Sequence, residues 1–365
     1  MQDIEQKTKI FNQNPFKQRQ KQTKMKTLPI QEIQAILKEA EHPLFIFDDD
    51  PDGLCAYLLL QRYMNMNKPS FIIARGGVGL DEQQRRKAEE EKPDLIILLD
   101  ASRIDKEAET KIKTKIIWID HHPLQKVERI HYYNNNNYSK DYHSTTWMVS
   151  QITKQKDWLA TLGCIFDFHL PEYFKETVKQ YPDLLQETNN VEDVLYKMPF
   201  KELIDIYYFS LKGEAKEVKK AIRCLEKIQT PHDILYETIE EGSFVKKRTE
   251  KFQKDYQKLL KEAEDQVTKD PLISIILQEQ RTSMSGKLAG ELTYKYPNKF
   301  IICGREKDGV IRMSLRSRKY KVRDIVGKAL VTIKGTGGGH AQACGAVISK
   351  EDFPQFLENI KQQLI

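Results

Sequence analysis

Leu44-Phe45-Ile46-Phe47-Asp48-Asp49-Asp50-Pro51-Asp52-Gly53 sets a short, wholly apolar run directly against carboxylates at alternate positions. Four apolar residues bounded in this way read as a strand buried on both faces, the kind found inside a parallel sheet. The same grammar returns twice, where Leu95-Ile96-Ile97-Leu98-Leu99 runs into Asp100 and Ile116-Ile117-Trp118-Ile119 runs into Asp120-His121-His122. Oxygen and imidazole donors at the ends of short strands are how an open α/β sheet presents divalent cations to a substrate.

Working outward, Ile30 to Glu41 is amphipathic and Leu54 to Met66 has helical periodicity, so the chain alternates helix, strand, helix. Phe71 to Ala74 adds a strand and Glu82 to Glu91 a charged surface helix; Ser144 to Thr153 and Trp158 to Phe166 are further helices. The fold class expected is α/β: a doubly wound parallel sheet, then a helical connector, then a smaller α/β domain. Pro171 to Ile239 reads as almost wholly helical, and Phe244 to Val267 as one long charged helix with few breakers. Beyond Asp270-Pro271, strands are expected at 272–277, 300–303 and 310–315, with helices at 322–330 and 353–365. The expected division is therefore a flexible basic tail (1–29), a metal-binding domain with a helical insertion (30–242), a connector helix (243–268) and a substrate-binding domain (269–365). No internal repeat suggests a solenoid.

The 365 residues suffice for two cores, and 39% hydrophobic with 31% charged residues fits a globular protein. No run approaches the roughly 18 apolar residues of a membrane span. The five scattered cysteines form no CxxC pair, and the Lys- and Gln-rich start lacks an apolar signal core, so a cytoplasmic location is expected. Residues 1–26 carry seven basic and two acidic side chains and residues 269–365 seventeen and nine, so within a net charge of +6 the middle is acidic. A carboxylate-rich domain beside a basic, anion-attracting one has this charge distribution.

Asp48-x-Asp50-x-Asp52-Gly53 also opens like a calcium loop, but position twelve is Leu59 where a bidentate Glu is needed, and a strand leads into it. Helix capping alone needs one aspartate, and four within five residues repel one another unless a cation offsets them. Adjacent histidines at a strand end cannot both point into the core, so Asp120-His121-His122 is read as a donor set. Tyr207, Tyr208 and Phe209 stand at helical spacing and are read as core.

Taken together, these motifs resemble the DHH phosphoesterases, whose first motif usually opens with His where Asp48 stands here. Asp100 resembles the second motif, Asp120-His121-His122 the third, and Gly163-Cys164-Ile165-Phe166-Asp167 the fourth. The resemblance implies two divalent cations, Mn²⁺ with Mg²⁺ as the alternative. Asp48, Asp50 and Asp100 would hold one, and Asp52, Asp100, His121 and Asp167 the other, with Asp100 bridging. His122 would face the substrate phosphate, and Asp120 would orient the histidine pair.

Gly335-Thr336-Gly337-Gly338-Gly339-His340 is read as a loop whose backbone N–H groups approach an anion. It lacks the Lys-Ser/Thr of a Walker A motif and the third glycine of a dinucleotide fingerprint. It resembles the signature of the DHHA1 domain of RecJ-type exonucleases and oligoribonucleases, which implies that Gly337, Gly338, Gly339 and His340 grip phosphate. Arg312 and Arg316 share one face of the preceding strand and are candidates for the same anion.

The function expected is a manganese-dependent phosphodiesterase, an exonuclease on single-stranded DNA or short RNA that releases nucleoside monophosphates. Its partner is a nucleic-acid strand, and no membrane is involved. The alternatives are a pAp phosphatase or cyclic-dinucleotide phosphodiesterase on the same site, and a non-catalytic scaffold in a replication or repair complex.

Overall fold

The computed structural model describes residues 28–74, 78–134, 143–277, 284–339 and 341–364. The basic tail up to residue 27, most of the Asn134–Asn137 stretch and His340 lie outside the described residues. By chain contacts the protein divides into two units, residues 1–155 and 156–365. The break falls inside the stretch assigned from sequence to the first domain.

The first unit is built on a five-stranded parallel sheet. Its strands are β1 (Pro43–Asp48), β2 (Ser70–Ala74), β4 (Leu95–Leu99), β6 (Lys115–Ile119) and β7 (His131–Tyr133), in the order β2-β1-β4-β6-β7. Two short strands, β3 (Val78–Leu80) and β5 (Arg103–Ile104), pair separately. All five residues of β4 are buried, which is why that strand reads as an unbroken apolar run. Strand order reverses between β1 and β4, so their carboxyl ends frame the crevice where ligands bind in open α/β sheets. Phe47 pairs with Leu99, and Leu99 with Ile119, so the residues that follow these three strands emerge side by side.

The helix Pro51–Tyr63 starts three residues earlier than its periodicity suggested. Pro51 occupies the first turn, where its missing N–H costs nothing, and the Asp50 carboxylate accepts from Gly53 N–H at 3.1 Å. Tyr57 anchors this helix to the sheet through rings 5.1 Å from Phe45, 4.8 Å from Phe47 and 5.4 Å from Phe71.

The second unit opens with a run of helices and closes with a mixed sheet. Its strands are β8 (Leu272–Leu277), β9 (Phe300–Lys307), β10 (Val310–Arg316), β11 (Gly335–Gly339) and β12 (Ala343–Ser349), in the order β11-β12-β10-β9-β8. Among these described strands, only the β8–β9 pair is parallel. The helix Glu240–Glu264 is no bare spacer, because Tyr256, Leu259, Leu260 and Ala263 share a core with Ile273, Ile275 and Leu288. Tyr207, Tyr208 and Phe209 are buried, as their spacing implied.

One local expectation is corrected. The glycine stretch is not a loop: Gly335–Gly339 is the edge strand β11, paired antiparallel with β12. Gly335 belongs there because a Cβ would lie 2.4 Å from Ile348 and 2.9 Å from the Val347 carbonyl oxygen, while at Gly337 it would press on the Leu330 side chain at 2.9 Å. Sequence propensity misses such a strand, since glycine has no side chain to favour the pleat.

Candidate metal and phosphate site

Asp48 ends β1, Asp50 caps the next helix, and Asp100 follows β4. One carboxylate oxygen from each of the three lies within 4.8 Å of the others, and single donors from Asp100, Asp120, His121 and His122 meet the same limit. Gly53 lets the backbone pack closely in this corner. A Cβ there would sit 3.0 Å from the Asp48 backbone N and O and 3.5 Å from the Asp100 Cβ.

Asp100 is the hinge of the cluster. Its backbone is left-handed, with φ +57°, a conformation that Asp tolerates better than most residues because its short side chain bonds locally. Its N–H donates to Ile119 O at 3.1 Å, tying the end of β4 to β6. His121 Nε2 stands 3.2 Å from Asp100 Oδ1, and Thr145 Oγ1 donates to the same oxygen at 3.1 Å. Burial pushes the Asp100 carboxyl up, but the hydrogen bond and charge of His121 and the charge of His122 outweigh it and hold the group below the usual carboxylate range. The histidine pair thus favours the charged form of this buried carboxylate.

Asp52 is fully buried and accepts from two backbone N–H groups, Thr145 at Oδ2 and Thr146 at Oδ1, both at 2.8 Å. These belong to the first turn of the helix Thr145–Thr153, where a negative charge is favoured by the exposed N–H groups and the helix dipole. Thr146 Oγ1 returns a bond to Asp52 O at 2.8 Å. Thr145 and Thr146 thus position two of the acidic residues, a role that sequence reading missed. Ser144-Thr145-Thr146 signalled only a helix start.

Asp120, also fully buried, holds His122: its Oδ1 lies 2.7 Å from His122 Nδ1, and its Oδ2 accepts from the His122 N–H at 3.1 Å. Burial disfavours a charged imidazole, yet the neighbouring carboxylates of Asp120 and Asp100 prevail and raise the pKa of His122. The two histidine rings lie 4.3 Å apart and are tilted by 57°. Asp167 closes the helix Trp158–Phe166, its N–H donating to Gly163 O at 3.3 Å, and belongs to the second unit.

In the second unit, β10 alternates: Ile311, Met313 and Leu315 face the core, while Arg312 is exposed and Arg316 half-buried. Arg316 donates from Nη1 to Leu315 O at 3.1 Å, which fixes one edge of the guanidinium. Ser314 pairs with Gly345 and Gly345 with Gly338, so a single strand separates the arginines from the glycine edge. The facing residues between them are small.

The glycines differ in what they do. Gly339 has φ +145°, and a Cβ there would lie 2.4 Å from Ala343 O, so Gly339→Ala is expected to lower unfolding free energy by about 2 kcal/mol or more. Nothing lies within 4 Å of a Cβ built on Gly338. Gly338→Ala is expected to leave stability within about 0.5 kcal/mol while raising KM, because a methyl holds an anion off the backbone. Urea denaturation beside steady-state kinetics checks both; equal stability losses would contradict the distinction.

The donor set suits hard divalent cations: carboxylate oxygens predominate, an imidazole joins them, and the clustered negative charge needs an offsetting cation. An α/β sheet with this acidic cluster at its switch point, followed in the chain by a domain edged with glycine and arginine, defines a metal-site phosphoesterase architecture. The chain matches the DHH family, N-terminal domain, over residues 44–185 and the DHHA1 domain over residues 271–365, and it belongs to the DHH/DHHA1 phosphoesterase family. No curated protein sequence matches it.

Among solved structures, RecJ from Thermus thermophilus in complex with Mn²⁺ is similar at 16% identity and TM-score 0.65, over 93% of this chain and 55% of RecJ. The chain thus spans about half of that protein's length. An exonuclease RecJ bound to manganese is similar at 16% identity and TM-score 0.62, over 93% of this chain and 95% of the other. The pGpG-specific phosphodiesterase PggH from Vibrio cholerae gives 15% identity and TM-score 0.50, over 89% and 99%. At these identities the likeness is one of fold. No helix among the described residues is long and apolar enough to cross a membrane.

Proposed function

We propose that the protein is a divalent-cation-dependent phosphodiesterase, most effective with Mn²⁺, that removes nucleoside monophosphates from an end of single-stranded DNA or short RNA. The observation that carries this is the convergence of Asp48, Asp50 and Asp100 beside His121 and His122 at the reversal of strand order. Asp48, Asp50, Asp52, Asp100 and His121 hold two cations in this proposal; Asp167 enters the set through the family resemblance. Bound there, the cations supply Lewis-acid stabilisation of phosphoryl charge and ionisation of water near neutral pH.

The chain's own groups do the rest. His122 presents Nε2 to a phosphoryl oxygen, its Nδ1 being taken by Asp120, and in its protonated form donates a proton there. Arg316, with one edge of its guanidinium fixed, and Arg312 on the same strand face hold phosphate, while the β11 glycines and His340 offer an anion close approach.

With Mn²⁺ and end-labelled single-stranded DNA and RNA of graded length, mononucleotide release is the expected product. Arg316→Ala is expected to raise KM about tenfold to a hundredfold with kcat little changed, the loss of one charge-assisted phosphate contact. Turnover confined to dinucleotides or pAp would assign a small-nucleotide hydrolase instead. Absence of any hydrolysis with Mn²⁺ or Mg²⁺ would overturn the proposal.

A further inference from the structure

Behind the histidine pair a buried hydrogen-bond chain runs from Asn134 through Tyr132 to Asp120. Tyr132 on β7 is 2% exposed, and Asn134 just past that strand is fully buried. Asn134 Nδ2 donates to His122 O at 2.9 Å and to the Tyr132 hydroxyl, also at 2.9 Å. The hydroxyl oxygen therefore acts as acceptor toward Asn134, and its own proton goes on to Asp120 Oδ2, at 3.2 Å. The opposite carboxylate oxygen, Oδ1, takes His122 Nδ1 at 2.7 Å.

The ring of Tyr132 is itself clamped. It stacks on Trp118 with centroids 4.2 Å apart and 15° between planes, and the Trp118 indole N–H donates to Ala101 O at 3.1 Å, one residue past Asp100. The carboxylate of Asp120 is thereby held in one rotamer by donors on both oxygens. A carboxylate so fixed accepts only the tautomer of His122 that carries hydrogen on Nδ1, which leaves Nε2 facing outward.

We infer that Tyr132 and Asn134 are positioning residues for the reaction, acting through Asp120 to fix the tautomer and ring plane of His122. The inference rests on the proposed contact of His122 with the substrate phosphate. Neither residue was signalled by the sequence motifs, because a tyrosine and an asparagine at the end of a short strand read as ordinary edge and turn residues.

The test uses Tyr132→Phe, which keeps the stack on Trp118 and removes the hydroxyl that donates to Asp120 and accepts from Asn134, and Asn134→Ala as a second break in the same chain. Outer partners of this kind are typically worth about tenfold to a hundredfold. Both variants are expected to lose at least about tenfold in kcat, with KM within about twofold and with calorimetric Mn²⁺ affinity unchanged. In ¹⁵N-labelled protein with Mg²⁺ and no substrate, brought to a pH at which the ring is neutral, the ring nitrogens of His122 should report a single Nδ1–H tautomer in the parent and a mixture in each variant. A kcat close to the parent's, or an unchanged tautomer in both folded variants, overturns the inference. His122→Ala is the separate control. If it turns over like the parent while the tautomer result holds, the phosphate contact of His122 is what fails, and with it the catalytic role of the chain behind it.

Discussion

Asp100→Asn is expected to give a folded protein that turns over at least about a thousandfold more slowly, the scale of several kcal/mol lost when a cation's ligand field is broken. Asn is the informative replacement. It tolerates the left-handed backbone at φ +57°, and its carbonyl can still accept from Thr145 Oγ1, so shape survives while charge is lost. The metal-free protein should melt within about 3 °C of the parent, since one buried charge has been replaced by a neutral isostere. Calorimetric Mn²⁺ titration, turnover and a thermal melt check the result together. Parent-like turnover would remove Asp100 from the reaction.

Asp52→Ala should behave differently, losing about 3 kcal/mol of stability even in the presence of a chelator. Two N–H groups at the start of the helix Thr145–Thr153 end on this fully buried carboxylate, and each left unsatisfied costs about 1–3 kcal/mol. Asp48→Ala is the contrast: half-buried at a strand end, it should cost less than about 1 kcal/mol without metal while weakening Mn²⁺ binding. Urea unfolding in a chelator measures both. Equal losses would mean that Asp52 is not the structural member of the acidic run.

The parallel sheet and its acidic ends were legible because strands buried on both faces leave unbroken apolar runs, and Asp48, Asp100 and Asp120 each close one. The short strands β3, β5 and β7 were not, since two or three residues carry no periodicity. β11 escaped because glycine reads as a breaker, yet at Gly335 it is contact with Ile348 and the Val347 carbonyl that demands glycine. Within the site, the clustered carboxylates and histidines announced themselves by type and spacing. Thr145, Thr146, Tyr132 and Asn134 did not, because their partners are about ten to ninety residues away along the chain and common polar residues acquire roles only through tertiary contacts.

The left-handed turn at residue 100 also restricts what descent can do with this position. Asp, Asn and Gly adopt that backbone readily, and most other side chains are strained in it. A lineage that abandoned hydrolysis and kept the sheet would drift there toward Asn or Gly before anything bulkier. Among such descendants, a neutral residue at 100 inside an intact fold would mark a shape retained for binding after its chemistry was given up.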